Sequence, residues 1–129
     1  MGKNEQIGRL DPNKVYSSYY SRACRIVPDS KLVAISLGIP NGFKGVTCRE
    51  LNPPVGLIVR YKANEISDKE YEQVYREEVL RGLNPLKIYE QLKGKVILCY
   101  CGKGAFCHRN IVMKWLEESI GEHIIGEEI

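Results

Sequence analysis

Two short apolar runs constrain the fold of this chain more than any other feature. Leu32 to Leu37 and Val96 to Tyr100 are almost continuously apolar, with little alternation between polar and apolar residues. Runs of this kind are typical of strands covered on both faces, as in a parallel sheet flanked by helices. The β-branched and aromatic segment from Val15 to Tyr20 predicts another strand, and His123 to Ile129 predicts a final one.

Helix signals lie between these predicted strands. Helices are predicted after Pro54, from a Ser67/Glu70 capping box to Leu83, from Asn84 to Gly94, and from His108 to Ile120. Gly56 weakens the first helix and leaves a strand there as the alternative. The segment from Gly38 to Gly45 is rich in glycine and also contains proline and asparagine, so it is predicted to be a loop.

Alternating strands and helices predict a single α/β domain over residues 1–129, with a mainly parallel sheet flanked by helices. Residues 1–13 are expected to form a poorly ordered N-terminal segment. At 129 residues the chain is long enough to bury a core without disulfide or metal support. In open parallel sheets ligands bind beyond the carboxyl ends of the strands, so the loops at that edge are the candidate site.

Charge and cysteine content exclude several classes of protein. The net charge is only +3 and the basic residues are scattered, which argues against a nucleic-acid partner. The sequence contains no run near the roughly 18 apolar residues of a membrane span, and its start lacks the apolar stretch of a signal peptide. Five cysteines are an odd number without secretion signals, so a disulfide framework is a poor explanation. We therefore expect a cytoplasmic protein without a membrane partner.

The segment CYCGKGAFCHR, from Cys99 to Arg109, is the strongest candidate for a site. It follows a predicted buried strand and leads into a helix, an arrangement whose free N–H groups bind phosphate. Gly102 and Gly104 would let the backbone approach a ligand, and the Arg109 guanidinium would favour an anion. The spacing matches neither a Walker A loop nor the Cys-x5-Arg loop of phosphotyrosine phosphatases. The alternative is a structural helix start with a buried Cys107 and a surface ion pair at Arg109.

The cysteines of this segment raise two further hypotheses. Cys99, Cys101, Cys107 and His108 are zinc-ligand types, but Cys99 and Cys101 are separated by one residue and are expected to share a strand face. We therefore predict no metal and no cofactor. Cys107 beside His108 at a helix N-terminus has surroundings that lower a thiol pKa, so both are candidate catalytic groups. A buried structural cysteine explains Cys107 equally well.

Two other loops supply complementary groups at the same predicted edge. The candidate ligand-binding residues at the end of the first strand are Tyr16, Ser18, Tyr19 and Arg22. Those at the end of the second strand and in the loop that follows are Ser36, Gly38 and Lys44. With Cys99, Cys107, His108 and Arg109 they would form a cationic, hydroxyl-rich pocket for a nucleotide or an ADP-ribose-like molecule. Half-buried sheet tyrosines and an ordinary loop are the structural alternatives.

The chain resembles the domain-of-unknown-function-488 family. The resemblance is carried by Val96 to Tyr100, then Phe106-Cys107-His108-Arg109, then Trp115-Leu116, and it extends over about residues 14 to 125. It implies a Rossmann-like α/β fold with Cys107, His108 and Arg109 at the ligand end. Many relatives have a glutamate where this chain has Cys101, so a carboxylate that could serve as a general base is missing.

We therefore expect the protein to bind a phosphorylated nucleotide-type molecule, either ADP-ribose-like or a cyclic nucleotide. Members of the resembled family occur in bacteria and phages, so the binding could sequester a nucleotide immune signal as a phage anti-defence protein. The alternative is a nucleotide-processing hydrolase or transferase that uses Cys107 or His108. A DNA-associated protein is a third and weaker interpretation, and the sequence leaves self-association into a homo-oligomer open.

Overall fold

The computed structural model describes residues 10–102 and 104–129 and contains one all-parallel sheet. Its five strands follow the order β3-β2-β4-β1-β5. They are β1 (Val15–Tyr19), β2 (Leu32–Ala34), β3 (Val46–Thr47), β4 (Val96–Cys99) and β5 (Ile125–Glu128). The predicted α/β class with a parallel sheet is confirmed. The expected N-terminal segment lies largely outside the described residues.

Within residues 10–102 and 104–129, five α-helices flank the sheet: α1 (Tyr20–Ile26), α2 (Val55–Lys62), α3 (Asp68–Glu78), α4 (Pro85–Leu92) and α5 (His108–Ser119). The predicted capping box is present, since the Ser67 hydroxyl accepts the N–H of Glu70 and the Glu70 carboxylate accepts that of Ser67. Asn84 likewise caps α4 by accepting the N–H of Leu86 at 3.0 Å. Across the described part of the chain, no helix combines the length and apolarity needed to cross a membrane.

The three central strands β1, β2 and β4 are buried on both faces, as the unalternated apolar runs of β2 and β4 predict. On one face Val33 and Ile97 pack into the larger core, which includes buried residues of α2 to α5. On the other face Leu32 and Leu98 pack against Ala23 of α1. Because both faces are covered, the polar chemistry of the domain is confined to the ends of the strands.

The central position of β4 creates the candidate site. β4 pairs with β1 on one side and with β2 on the other, with Cys99 beside Tyr19 and Leu98 beside Ala34. All three strands run in one direction, so the chain leaves them at the same edge of the sheet. The loops that follow β2 and β4, together with the start of α1, therefore meet there.

Several predicted boundaries differ from the structure. The segment after Pro54 is a helix, so the alternative of a strand is wrong. The second strand ends at Ala34, although the N–H of Ile35 still bonds to the carbonyl of Leu98 at 3.1 Å. The helix predicted to run to Leu83 ends at Glu78 and is followed by a 3-10 turn. The short strand β3 was not predicted.

Candidate functional site

A cavity of about 230 Å³ lies beyond the carboxyl end of β4, and we call it the thiol cavity. Its lining includes three cysteines and a histidine from the segment that joins the end of β4 to the start of α5, namely Cys99, Cys101, Cys107 and His108. Aromatic side chains form much of the remaining wall: Tyr61, Tyr71, Tyr100 and Phe106. Ser36 and Lys62 add a hydroxyl and a cation. The cavity therefore combines thiols with aromatic surface at the edge where parallel sheets bind ligands.

The three cysteines converge because β4 ends at Cys99. The chain bends at Tyr100 and Cys101, and Cys107 is the N-cap residue of α5. As a result the sulfur atoms of Cys99, Cys101 and Cys107 all lie within 4.8 Å of one another. The prediction that Cys99 and Cys101 share a strand face is therefore wrong, and the geometric reason for expecting no metal does not hold.

Cys99 and Cys107 approach most closely, with their sulfur atoms in contact. Their Cα atoms are 7.7 Å apart, which exceeds the range of about 4.4–6.8 Å that disulfides usually span. A relaxed covalent bridge would therefore require backbone movement. The two sulfurs share one site with the sulfur of Cys101.

His108 is held in one orientation by the second strand. Its Nε2 lies 2.8 Å from the carbonyl oxygen of Ile35, and its Nδ1 lies 3.6 Å from the Cys107 sulfur. Because a carbonyl can only accept, Nε2 carries the proton and the lone pair of Nδ1 faces Cys107. Burial lowers the pKa of His108 to about 4, and the nearby Arg109 cation acts in the same direction. The imidazole is thus neutral at neutral pH.

Arg109 is fully buried and binds the protein itself. Its Nη1 donates to the Cys99 sulfur and the Cys101 carbonyl, and its Nη2 donates to the Gly102 carbonyl and the Glu128 carboxylate. Of the three guanidinium nitrogens of Arg109, Nε alone has no hydrogen-bond partner among the described residues. The predicted surface ion pair is therefore wrong. That Arg109 contacts a ligand stays a prediction, and its Nε–H group is the donor that could do so.

Of the residues predicted after β2, Ser36 belongs to the thiol cavity. Its hydroxyl donates to the Gly38 carbonyl and lies 2.6 Å from the hydroxyl oxygen of Tyr20. Gly38 approaches the ring of Tyr100, which a Cβ at this position would meet at 4.0 Å. Lys44 is exposed in the loop. The loop after β2 therefore contributes Ser36 to the cavity wall and places Gly38 beside it.

The predicted residues around β1 are more dispersed. Tyr16 is buried near the amino end of the strand, where its hydroxyl accepts the N–H of Asp11 at 2.8 Å. Ser18 is fully buried in the sheet, and Tyr19 is half-buried at the strand end. Arg22 lies exposed on α1 and donates to the carbonyl of Ile129 at 3.1 Å. The single cationic pocket predicted from three loops is thus not assembled, and ligand contacts by these residues stay predictions.

The aromatic wall was missed by the sequence-based reasoning. The ring centroids of Tyr61, Tyr71 and Phe106 lie 5.2–5.5 Å apart in all three pairings. Tyr61 is on α2, Tyr71 on α3 and Phe106 in the loop before α5, so no local pattern joins them. The signal available was the family resemblance, which is carried in part by Phe106 and whose span includes Tyr61 and Tyr71.

A second cavity, of about 390 Å³, also involves Tyr100. Its lining includes Tyr20 and Phe43, whose ring centroids lie 5.6 Å apart, and the turn residues Asn41 and Gly42. The predicted glycine-rich loop therefore has a cavity of its own beside the thiol cavity.

These features define a small parallel α/β domain with a cysteine-lined and aromatic-lined cavity at the carboxyl edge of its sheet. The chain belongs to the DUF488 family: the family model described as DUF488-N3a, the active DUF488-N3 subclade, matches residues 22–120. This match confirms the resemblance based on the Cys-His-Arg segment. Searches of curated proteins and of solved structures found no significant match to the chain.

Proposed function

We propose that the protein binds a nucleotide-type small molecule with its base in the thiol cavity. The observation that carries this proposal is the aromatic wall formed by Tyr61, Tyr71 and Phe106 at the ligand-binding edge of a parallel sheet. Aromatic side chains stack on every nucleobase, because each base presents a π face. Tyr61 and Phe106 are only partly buried, so part of their surface is available to a ligand.

The volume of the cavity limits what it can enclose. At about 230 Å³ it is smaller than the 300–1,000 Å³ typical of sites for drug-sized ligands. We therefore expect it to hold one base, with the sugar and phosphate groups of the ligand nearer its mouth. Lys62 is exposed and lines the cavity, so its ammonium group is the cation placed to meet a phosphate. An ADP-ribose-like molecule or a cyclic nucleotide fits this description.

Binding without turnover is the form of the proposal that we favour. His108 is buried, and both of its ring nitrogens already face protein groups, Ile35 on one side and Cys107 on the other. A proton transfer between this imidazole and a ligand would have to displace one of those contacts. The further proposal, sequestration of a nucleotide immune signal by a phage anti-defence protein, rests on the family resemblance alone.

The second candidate is a nucleotide-processing hydrolase or transferase. It is favoured by the position of Cys107, whose thiol lines the cavity at the start of α5. The description of the matching subclade as active also favours turnover in that family. The two candidates share a binding site and differ in the fate of the ligand.

Ligand capture can be tested on the purified protein in two steps. Small molecules released by heating are identified by mass spectrometry, and calorimetry then measures binding of ADP-ribose and of a cyclic mononucleotide. Loss of one stacking partner costs about 1–3 kcal/mol, so Tyr61→Leu should raise the Kd roughly 5- to 150-fold. Tyr89→Leu is the matched control, because Tyr89 lies on α4 and its hydroxyl bonds to the carbonyl of Asn13.

An intact nucleotide recovered from the protein, with weaker binding in Tyr61→Leu alone, supports capture. Recovery of a cleaved nucleotide, together with turnover that disappears in Cys107→Ser, would establish the enzyme instead. If no nucleotide is recovered and neither probe binds, the proposed function is refuted.

A further inference from the structure

We propose that Cys99, Cys101 and Cys107 bind one zinc ion through three thiolates. The three sulfur atoms lie within 4.8 Å of one another, and all three cysteines line the thiol cavity. Zinc binds thiolate sulfur at about 2.3 Å with tetrahedral geometry, which places two sulfurs on one ion roughly 3.8 Å apart. The upper limit on the observed separations lies just above this value, and the Cys99 and Cys107 sulfurs, which are in contact, would move apart to it around the ion. The inference does not depend on the nucleotide proposal.

The backbone positions of the cysteines favour a shared ion over a covalent bond. Cys99 ends a central strand and Cys107 begins a helix, so both are fixed by regular structure. Their Cα atoms are 7.7 Å apart, too far for an unstrained disulfide. Cys101 lies in the bend between them and brings a third sulfur to the same point. Three sulfurs that converge from backbone positions fixed by a strand and a helix are typical of a metal site. One disulfide with a free thiol beside it explains this arrangement less well.

The charge around the sulfurs also favours thiolates. Nη1 of the buried Arg109 lies 2.7 Å from the Cys99 sulfur, and a cationic donor at this distance stabilises the deprotonated form. Three thiolates around a zinc ion carry one net negative charge, which the guanidinium would offset. Arg109 has an acidic partner in Glu128, but that carboxylate is 25% exposed and so only partly compensates a buried cation.

The protein supplies three ligands, and the cavity would supply the fourth. The His108 nitrogens fall outside the group of mutually close ligand atoms, although Nδ1 lies 3.6 Å from the Cys107 sulfur. All three cysteines line the thiol cavity, so the remaining coordination position faces it. Zinc sites with three protein ligands bind a water or a substrate group at the fourth position. We therefore expect the ion to bind an anionic group or a water molecule within the cavity.

The experiment measures zinc in protein purified under reducing conditions from zinc-supplemented cells. Elemental analysis should find about one zinc per chain after dialysis. Loss of a ligand in Cys101→Ser should weaken zinc binding by more than the roughly 10- to 100-fold that changes in outer-shell partners cause. Cys24→Ser is the matched control, since Cys24 lies on α1 outside the group, and it should retain the wild-type zinc content.

Alkylation and cobalt provide independent readouts should Cys101→Ser fail to fold. In the native zinc-loaded protein, Cys99, Cys101 and Cys107 should be protected from iodoacetamide, and a chelator should remove that protection. Cobalt added to the reduced metal-free wild type should give intense thiolate-to-cobalt absorption.

The proposal is overturned if the reduced wild type binds neither zinc nor cobalt. It is also overturned if folded Cys101→Ser retains zinc with wild-type affinity, or if iodoacetamide modifies the three cysteines equally with and without zinc. None of these results decides the nucleotide proposal, because metal binding and nucleotide binding are measured in separate assays.

Discussion

Replacing Arg109 by methionine should destabilise the domain strongly, although the side chain was first expected at a ligand site. The guanidinium is fully buried and donates to three backbone or carboxylate oxygens and to one sulfur. Methionine has a similar length but no donor, so it would leave the carbonyls of Cys101 and Gly102 without their partner. Glu128 would also lose its cation, with a smaller penalty because it is 25% exposed. We expect a loss of about 3–5 kcal/mol in the free energy of unfolding.

Urea unfolding followed by circular dichroism measures this loss, in a buffer with reductant for every variant. Arg76→Met is the matched control, because Arg76 binds Glu72 and Glu118 on the surface of the protein. Its side chain is 27% exposed, and its loss should cost about 1 kcal/mol or less. If Arg109→Met is destabilised no more than Arg76→Met, the guanidinium does not hold the loop to the last strand, and the reasoning from its burial is refuted.

The remaining predictions use the same unfolding assay. Ser67→Ala should cost about 1 kcal/mol through loss of the capping box, and an unchanged midpoint would contradict that role. Tyr75→Phe should cost about 1–3 kcal/mol, because it leaves the buried Leu51 carbonyl without the hydroxyl that donates to it at 2.7 Å. Gly45→Ala should destabilise by about 1–3 kcal/mol, since a Cβ there would lie 2.5 Å from a backbone oxygen of β2. Gly56→Ala should instead raise the free energy of unfolding by about 0.5–1 kcal/mol, because a Cβ at that position of α2 would meet open space. If Gly45→Ala and Gly56→Ala change the free energy of unfolding in the same direction, this distinction is refuted.

The sheet and the helix starts could be predicted because their signals are local. Continuous apolar runs identified β2 and β4, and side-chain caps identified the starts of α3 and α4. The strand β3 could not be found, because both of its residues, Val46 and Thr47, are exposed and too few to show a pattern. Its place in the sheet is determined by pairing with β2, which is tertiary information.

The candidate site was only partly predictable for the same reason. The sequence identified Cys107 and His108, since they stand where a loop meets a helix. It gave no sign that Arg109 would be buried, because that depends on Glu128 in a strand at the far edge of the sheet. It also could not show that a bend at Cys101 would bring three sulfurs together, because that bend interrupts the strand periodicity on which the prediction relied.

The position of β4 has a consequence for synthesis of the protein on the ribosome. β1 and β2 are made early, yet in the sheet they do not touch each other, because β4 lies between them. A nascent chain that ends before Val96 can pair β2 only with the two-residue strand β3 and has no partner for β1, and the pairings of both strands with β4 must wait for the same four residues. During that time the apolar side chains of β1 and β2 lack the central strand of the sheet, and the chain is exposed to aggregation and to chaperones. Formation of the sheet should therefore be late and abrupt, with folding controlled by β1–β4 and β2–β4 pairs that lie 80 and 64 residues apart in sequence.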